Sequence, residues 1–162
     1  DKYVLPLLNK VYAEYEATCI AEGENTKKDI LRHLAIIEEN VGMVEKYAGS
    51  FEELIQKNLR ERFYQLLGEN ADEGRIYSET AVLLVKYTIN EELVRLRSHL
   101  QAFRDAVESD EPVGKKLDFI CQELNREINT IGSKSMMVEV DRAVINLKDA
   151  LENIREQVRN VV

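Results

Sequence analysis

The feature that most constrains this chain is apolar spacing alternating between four and three, sustained far beyond an ordinary globular helix. Ile30, Leu34, Ile37, Val41, Val44, Ala48, Phe51 and Ile55 keep it in one stretch, and Met137, Val140, Val144, Leu147, Leu151, Ile154, Val158 and Val161 in another. Apolar residues at that spacing line one narrow stripe of an α-helix, whereas a half-buried strand needs alternation at every second residue. Such alternation is absent, and 162 residues contain only seven Gly and two Pro. The expected fold is therefore all-α: long antiparallel helices with coiled-coil-like seams, packed as a helical bundle. Spacing alone leaves open whether the seams pair within the chain or between subunits, but their narrowness predicts self-association.

Punctuation divides the chain. A first helix is expected from about Val4 to Glu22, with Leu8, Val11, Tyr15 and Cys19 on one face, followed by a turn and N-cap at Gly23, Asn25 and Thr26. The next helix keeps its register through Gly49-Ser50 and stops at Gly68, where the loop 68–74 marks the boundary between a long-helix segment (1–70) and a C-terminal helical domain (71–162). In the second part, helices are expected from near Arg75, from an Asn90 cap to about Glu108, and over Val113 to Thr130, with a break at 109–112. The first residue is Asp, and helical pattern starts almost at once, which suggests a piece of something longer.

The formal charge of −8 is unevenly placed. Residues 114–162 hold eight basic and eight acidic side chains, leaving 14 basic against 22 acidic in the first 113. An acidic chain repels nucleic acid at long range, so a nucleic-acid role needs a local basic surface. No apolar run approaches the roughly 20 residues that span a bilayer, and no signal peptide is visible, so a cytoplasmic location is expected. Cys19 and Cys121 lack metal-ligand spacing and read as small buried hydrophobes. Phosphate loops, dinucleotide fingerprints, zinc-protease motifs and nucleophile elbows are missing.

One helix carries chemistry. On a wheel of about 100° per residue, Leu117, Ile120, Cys121, Leu124, Ile128 and Ile131 form its buried face. One flank holds Asp118, Gln122, Asn125 and Asn129 with Arg126 beside them, and the other holds Glu123 and Glu127. Asparagines are poor interior helix formers, so the first flank is either a polar helix–helix network or a surface for phosphate, sugar hydroxyls or a hydrated ion. Glu123 and Glu127 are either a solvated pair or ligands for a hard cation such as Mg²⁺ or Mn²⁺. On the preceding helix, Glu92, Arg95 and His99 share an edge; they form a structural cluster or an acid–base set for a phosphodiester. His33 sits on an ordinary charged face and is left unassigned.

The run from Val113 to Ser135, VGKKLDFICQELNREINTIGSKS, resembles throughout the signature of the YicC/YloC family of bacterial proteins. The block from Asn90 to Leu100, NEELVRLRSHL, and the terminal heptad ending at Asn160 match it as well, and Arg75 and Glu79 resemble polar positions before them. The likeness is strong over residues 72–162; the first 70 residues resemble the family by architecture. It implies an endoribonuclease, long known only as a stress-induced protein, that acts on RNA with divalent-metal dependence and forms a ring-like homo-oligomer, a hexamer. It also implies that the family's opening domain, absent here, precedes this portion. The expected site is Asp118, Glu123 and Glu127 as metal ligands and catalytic acids, with His99 as acid or base. Glu92, Arg95, Gln122, Asn125, Arg126, Asn129 and Lys134 are expected to bind substrate. The rival reading is a non-catalytic coiled-coil adaptor or oligomerisation module that serves other RNA-decay enzymes.

Overall fold

A computed structural model describes residues 3–68, 72–109 and 111–161, with all their side chains except those of residues 51, 52 and 67. Among them the regular elements are α1 (Val4–Leu67), α2 (Glu73–Tyr87), α3 (Asn90–Val107), α4 (Gly114–Lys134) and α5 (Val138–Val158), with no strand. The all-α expectation holds.

The turn expected at Gly23, Asn25 and Thr26 does not form, because α1 runs through it as it does through Gly49-Ser50. A glycine inside a helix costs about 1 kcal/mol relative to alanine, while each residue added to an existing helix still gains a backbone hydrogen bond. Ala21, Glu22, Glu24, Lys27 and Lys28 around it are all good helix formers. Pro6 is tolerated because it lies in the first turn, where backbone N–H groups have no intrahelical acceptor. Gly68 stops the helix as expected, with φ of 58°, a left-handed value that side chains avoid, and its N–H donates to the Tyr64 carbonyl.

Residues 69–71 of the expected 68–74 loop lie outside the described residues, and Glu73-Gly74 are already helical. Asp72 caps α2 by accepting a 2.9 Å hydrogen bond from the Gly74 N–H. Asn90, expected as a cap, is instead the first helical residue of α3, and Ile89 holds the cap position. The break at 109–112 separates α3 from α4, with Asp110 outside the described residues. At the start of α4, a Cβ on Gly114 would fall 2.5 Å from the Val161 carbonyl oxygen, so no larger residue fits.

The middle of α1, α3, α4 and α5 form a ring around one core. Ile30, Leu34, Ile37, Val41 and Val44 meet Val140, Ala143, Val144, Leu147, Ala150, Leu151, Ile154 and Val158, while Leu96, Leu100, Phe103, Leu117, Leu124 and Ile128 fill the rest. The two long seams thus pack largely into one shared core; Phe51 of the first lies outside the described side chains. Neighbouring helices are antiparallel. Eleven residues forward on α1, from Asp29 to Asn40, are eleven back on α5, from Gln157 to Asn146. Seven forward, from Glu38 to Glu45, are seven back on α3, from Arg104 to Arg97. The Arg97 fork, at 2.8 and 2.7 Å, holds the Glu45 carboxyl below its usual range. Helix α2 rests on the far end of α1, where Arg60 and Tyr64 both donate to Glu73.

Residues 4–22 of α1 project past this core. Leu8, Val11 and Tyr15, expected on a buried face, are 59%, 56% and 66% exposed, and Cys19 is also exposed. Where this arm leaves the bundle, an open cleft of about 880 Å³ separates Cys19 and Gly23 from Val107, Leu117 and Val161.

A Cβ at Gly23 would meet nothing within 4 Å. Gly23→Ala should therefore slow amide exchange along the arm roughly fivefold, the equivalent of about 1 kcal/mol of helix stability. Unchanged or faster exchange in residues 4–22 would mean that the helix breaks at Gly23.

Candidate functional site

Helices α3 and α4 run antiparallel, so residues spaced by three, four and seven on one edge meet a matching set on the other. At one end Lys134 donates to Glu92 Oε1 at 2.7 Å and to the Thr88 carbonyl at 3.0 Å. In the middle Arg95 Nη1 lies 3.7 Å from Glu127 Oε1 and also pairs with Glu91 on its own helix. At the other end, ligand atoms of His99, Glu123 and Glu127 all fall within 4.8 Å of one another.

Burial gives these groups unequal roles. Glu92 is 5% exposed and Glu127 only 2%, so both carboxylates have lost most of their water. A buried charge is tolerated when it is paired and hydrogen-bonded. Lys134 meets that need for one oxygen of Glu92, although among the described residues the buried Oε2 has no partner. Glu127 has only the more distant guanidinium, and among the described residues it accepts no side-chain hydrogen bond. An imidazole nitrogen and two carboxylate oxygens at this spacing suit a divalent ion that keeps some of its water, and the weakly compensated Glu127 is where added positive charge would be most favourable.

The sequence-derived set divides across this geometry. Glu123, Glu127, His99, Arg95, Glu92 and Lys134 share the α3–α4 edge. Asp118, Gln122, Asn125 and Asn129 stand on the opposite flank of α4, where Gln122 donates to Asp118 at 2.9 Å. Asp118 therefore does not join Glu123 and Glu127, and His99 takes its place in the cluster. Arg126 is exposed, with its nearest acid Glu123 at 3.7 Å. Lys134, expected to meet substrate, is engaged in tying α4 to the α2–α3 junction. Glu91 was missed; it lies four residues before Arg95, a helical ion-pair spacing that could have revealed it.

Three further expectations change or hold. His33 is only 9% exposed, its Nε2 3.0 Å from Arg32 and 3.8 Å from Asp29, and among the described residues its buried Nδ1 has no partner. Cys19 is exposed, contrary to its reading as a buried hydrophobe, because the arm carrying it leaves the core. Cys121 is buried as expected, and desolvation pushes its thiol up to about 12, which makes it inert. No helix among the described residues is long and apolar enough to cross a membrane.

Residues 44–162 match the family described as endoribonuclease YicC-like, C-terminal. The chain is 37% identical over 142 residues to the probable endoribonuclease YicC of Clostridioides difficile, covering 86% of this chain and 48% of that protein. It is 37% identical over 105 residues to the probable endoribonuclease YicC of Haemophilus influenzae, covering 63% and 37%. A third similarity, 32% over 121 residues, is to the DNA repair protein RecN of Aquifex aeolicus, of which the match spans 22%. The chain thus spans about half or less of the length of each of these relatives.

If Lys134 is a staple, removing it strands a buried carboxylate. Lys134→Met should cost about 2–3 kcal/mol in denaturant unfolding, the lower part of the range for an orphaned buried charge. Lys115→Met and Lys116→Met, at exposed positions of the same helix, should stay within about 0.5 kcal/mol. Equal, small effects at all three would return Lys134 to the surface.

Proposed function

The chain belongs to the endoribonuclease YicC-like family, and from that premise we propose that it is the C-terminal part of an RNA phosphodiesterase whose reacting groups gather on the α3–α4 edge. The observation that carries this reading is the convergence of His99, Glu123 and Glu127 from two helices. These three residues would hold Mg²⁺ or Mn²⁺, which when bound supplies Lewis-acid polarisation of the phosphate and activation of water. Glu127, buried against the core, would be the ligand that fixes the position of the ion. Glu123 and His99 are both half-buried and Arg95 is exposed beside them, so an arriving strand would meet these three side chains, with Arg95 as the phosphate partner. The amide flank of Asp118, Gln122, Asn125 and Asn129 lies apart from this centre, so Asp118 is given no role in bond cleavage.

The test uses labelled RNA, the whole protein and this chain. Glu127→Gln and His99→Ala should each lower cleavage by at least about 10²-fold, in keeping with loss of a principal catalytic group, and chelator should abolish it. A single 2′-deoxy substitution at the cleaved position should still be cut. Cutting that survives chelator and fails at the 2′-deoxy site would instead assign His99 to attack by the neighbouring 2′-hydroxyl.

A second reading, an oligomerisation module, is favoured by the bare arm of α1. Leu8, Val11, Tyr15 and Cys19 keep three- and four-residue helical spacing on one exposed face of the arm, outside the register of the core seam. Its occupant is a second copy: an antiparallel pair of arms centred between Val11 and Tyr12 sets Leu8 against Tyr15 and Val4 against Cys19 of the other chain. A homo-oligomer need not exclude catalysis, and the family resemblance points to a hexamer. The chain should sediment as a multiple of 18.7 kDa at about 10 μM, and the double substitution of Leu8 and Val11 by Asp should dissociate it while leaving the helical signal intact. A monomer before substitution would end this reading.

A further inference from the structure

The arginines of this edge and of the neighbouring interface are engaged to different degrees. On α1 acids, Arg97 closes a two-nitrogen fork on Glu45 and Arg104 donates through Nη2 to both oxygens of Glu38, with all four distances between 2.7 and 2.9 Å. Arg95 does not close on its cross-helix acid. It remains 3.7 Å from Glu127, beyond hydrogen-bond reach, and divides itself between that buried carboxylate and the exposed Glu91. About half of the Arg95 side chain is exposed, against 3% of Glu127.

Resting on the reading of His99, Glu123 and Glu127 as a cation site, we propose that Arg95 is a switchable counter-ion: it neutralises Glu127 while the site is empty, and is released by the cation to bind an RNA phosphate. A divalent ion among these ligands supplies the charge that Glu127 lacks and repels a guanidinium a few ångströms away. Glu91 gives the displaced head a resting place on its own helix, one turn back from Arg95. Because Arg95 lies one turn before His99 on α3, its released head would stand beside the cation site, in position to pair with a phosphate drawn to it. Cation and RNA then bind with positive coupling, and linkage requires that each raise the affinity of the other. Neither the acids alone nor the arginine alone produces that behaviour; it arises from one guanidinium placed between a buried acid and an exposed one.

The test reads binding, not turnover. Calorimetry with Mn²⁺ on the whole chain should show Arg95→Met binding about three- to tenfold tighter than the unmodified protein, the gain expected from removing a partly screened competing charge. Glu91→Gln should act in the opposite direction, because it returns Arg95 to Glu127. With a non-cleavable short RNA, Mn²⁺ should raise affinity in the unmodified protein and much less in Arg95→Met. Circular dichroism confirms that each variant is folded. Unmodified protein that binds no Mn²⁺ would overturn the cation site and this inference together. Binding that is lost in Glu127→Gln but unchanged or weakened in Arg95→Met would overturn the role of Arg95 alone.

Discussion

The pairing of α1 with α5 is the contact on which the other elements depend. Five fully buried aliphatic side chains of α1 lie along the line of eight from α5, and at about 1.5–3 kcal/mol for each large apolar side chain removed from water this far exceeds any local preference in either helix. Apolar stripes can slide past one another; polar contacts resist sliding. Asn146 donates to Asn40, which also donates to the Ile36 carbonyl, and Gln157 donates to Asp29. A one-heptad slip would keep the apolar contacts and break both cross-helix polar ones, leaving a buried asparagine poorly satisfied. The same register sets Glu38 and Glu45 where Arg104 and Arg97 close on them, and so positions α3 and, through it, the edge that carries His99.

Much of this was legible because the seams are long and strict. A stripe repeated over several turns reports which face is buried, and every described member of the α5 seam from Val140 to Val158 is buried. What the stripe does not report is where its partner ends. Leu8, Val11, Tyr15 and Cys19 have the spacing of a core face, yet α5 stops opposite the region of Asp29 and Ile30, so the same pattern lies in solvent. Gly23 misled for a related reason. Its penalty is real but small, and a helix already nucleated by the bundle extends across it.

The candidate site was half legible. Placing residues on a wheel separated the two flanks of α4 correctly, but a wheel describes one helix, and the cluster is made by two. The information needed was the fold-back point. A helical hairpin closing across the break at 109–112 has its centre near Glu111, and reflection about that centre sets His99 opposite Glu123 and Arg95 opposite Glu127. Those are the residues that meet. The same reflection about the second break, near Val138, sets Gly132 opposite Val144, where a Cβ would approach to 3.0 Å. Asp118 was grouped with the two glutamates by chemistry, but reflection and wheel together place it on the flank away from α3.

The two buried acids of this edge show how structure can separate support from chemistry when residue types cannot. Glu92 and Glu127 have similar burial, and each faces a cation from the other helix. Lys134 closes to 2.7 Å and adds a second bond to a backbone carbonyl, so it is held by two acceptors of fixed position. Movement of that ammonium would strand both acceptors, which makes it a poor ligand for anything arriving from outside. Arg95 stops at 3.7 Å and has an exposed alternative in Glu91. Its departure costs Glu127 little hydrogen bonding and is compensated by any cation that takes its place. A closed pair is stable because neither partner has another option; an open pair with an alternative costs little to separate. On the proposed reading, chemistry on this edge would belong at Glu127, His99 and Glu123, while the closed Glu92–Lys134 pair holds the two helices together at its end.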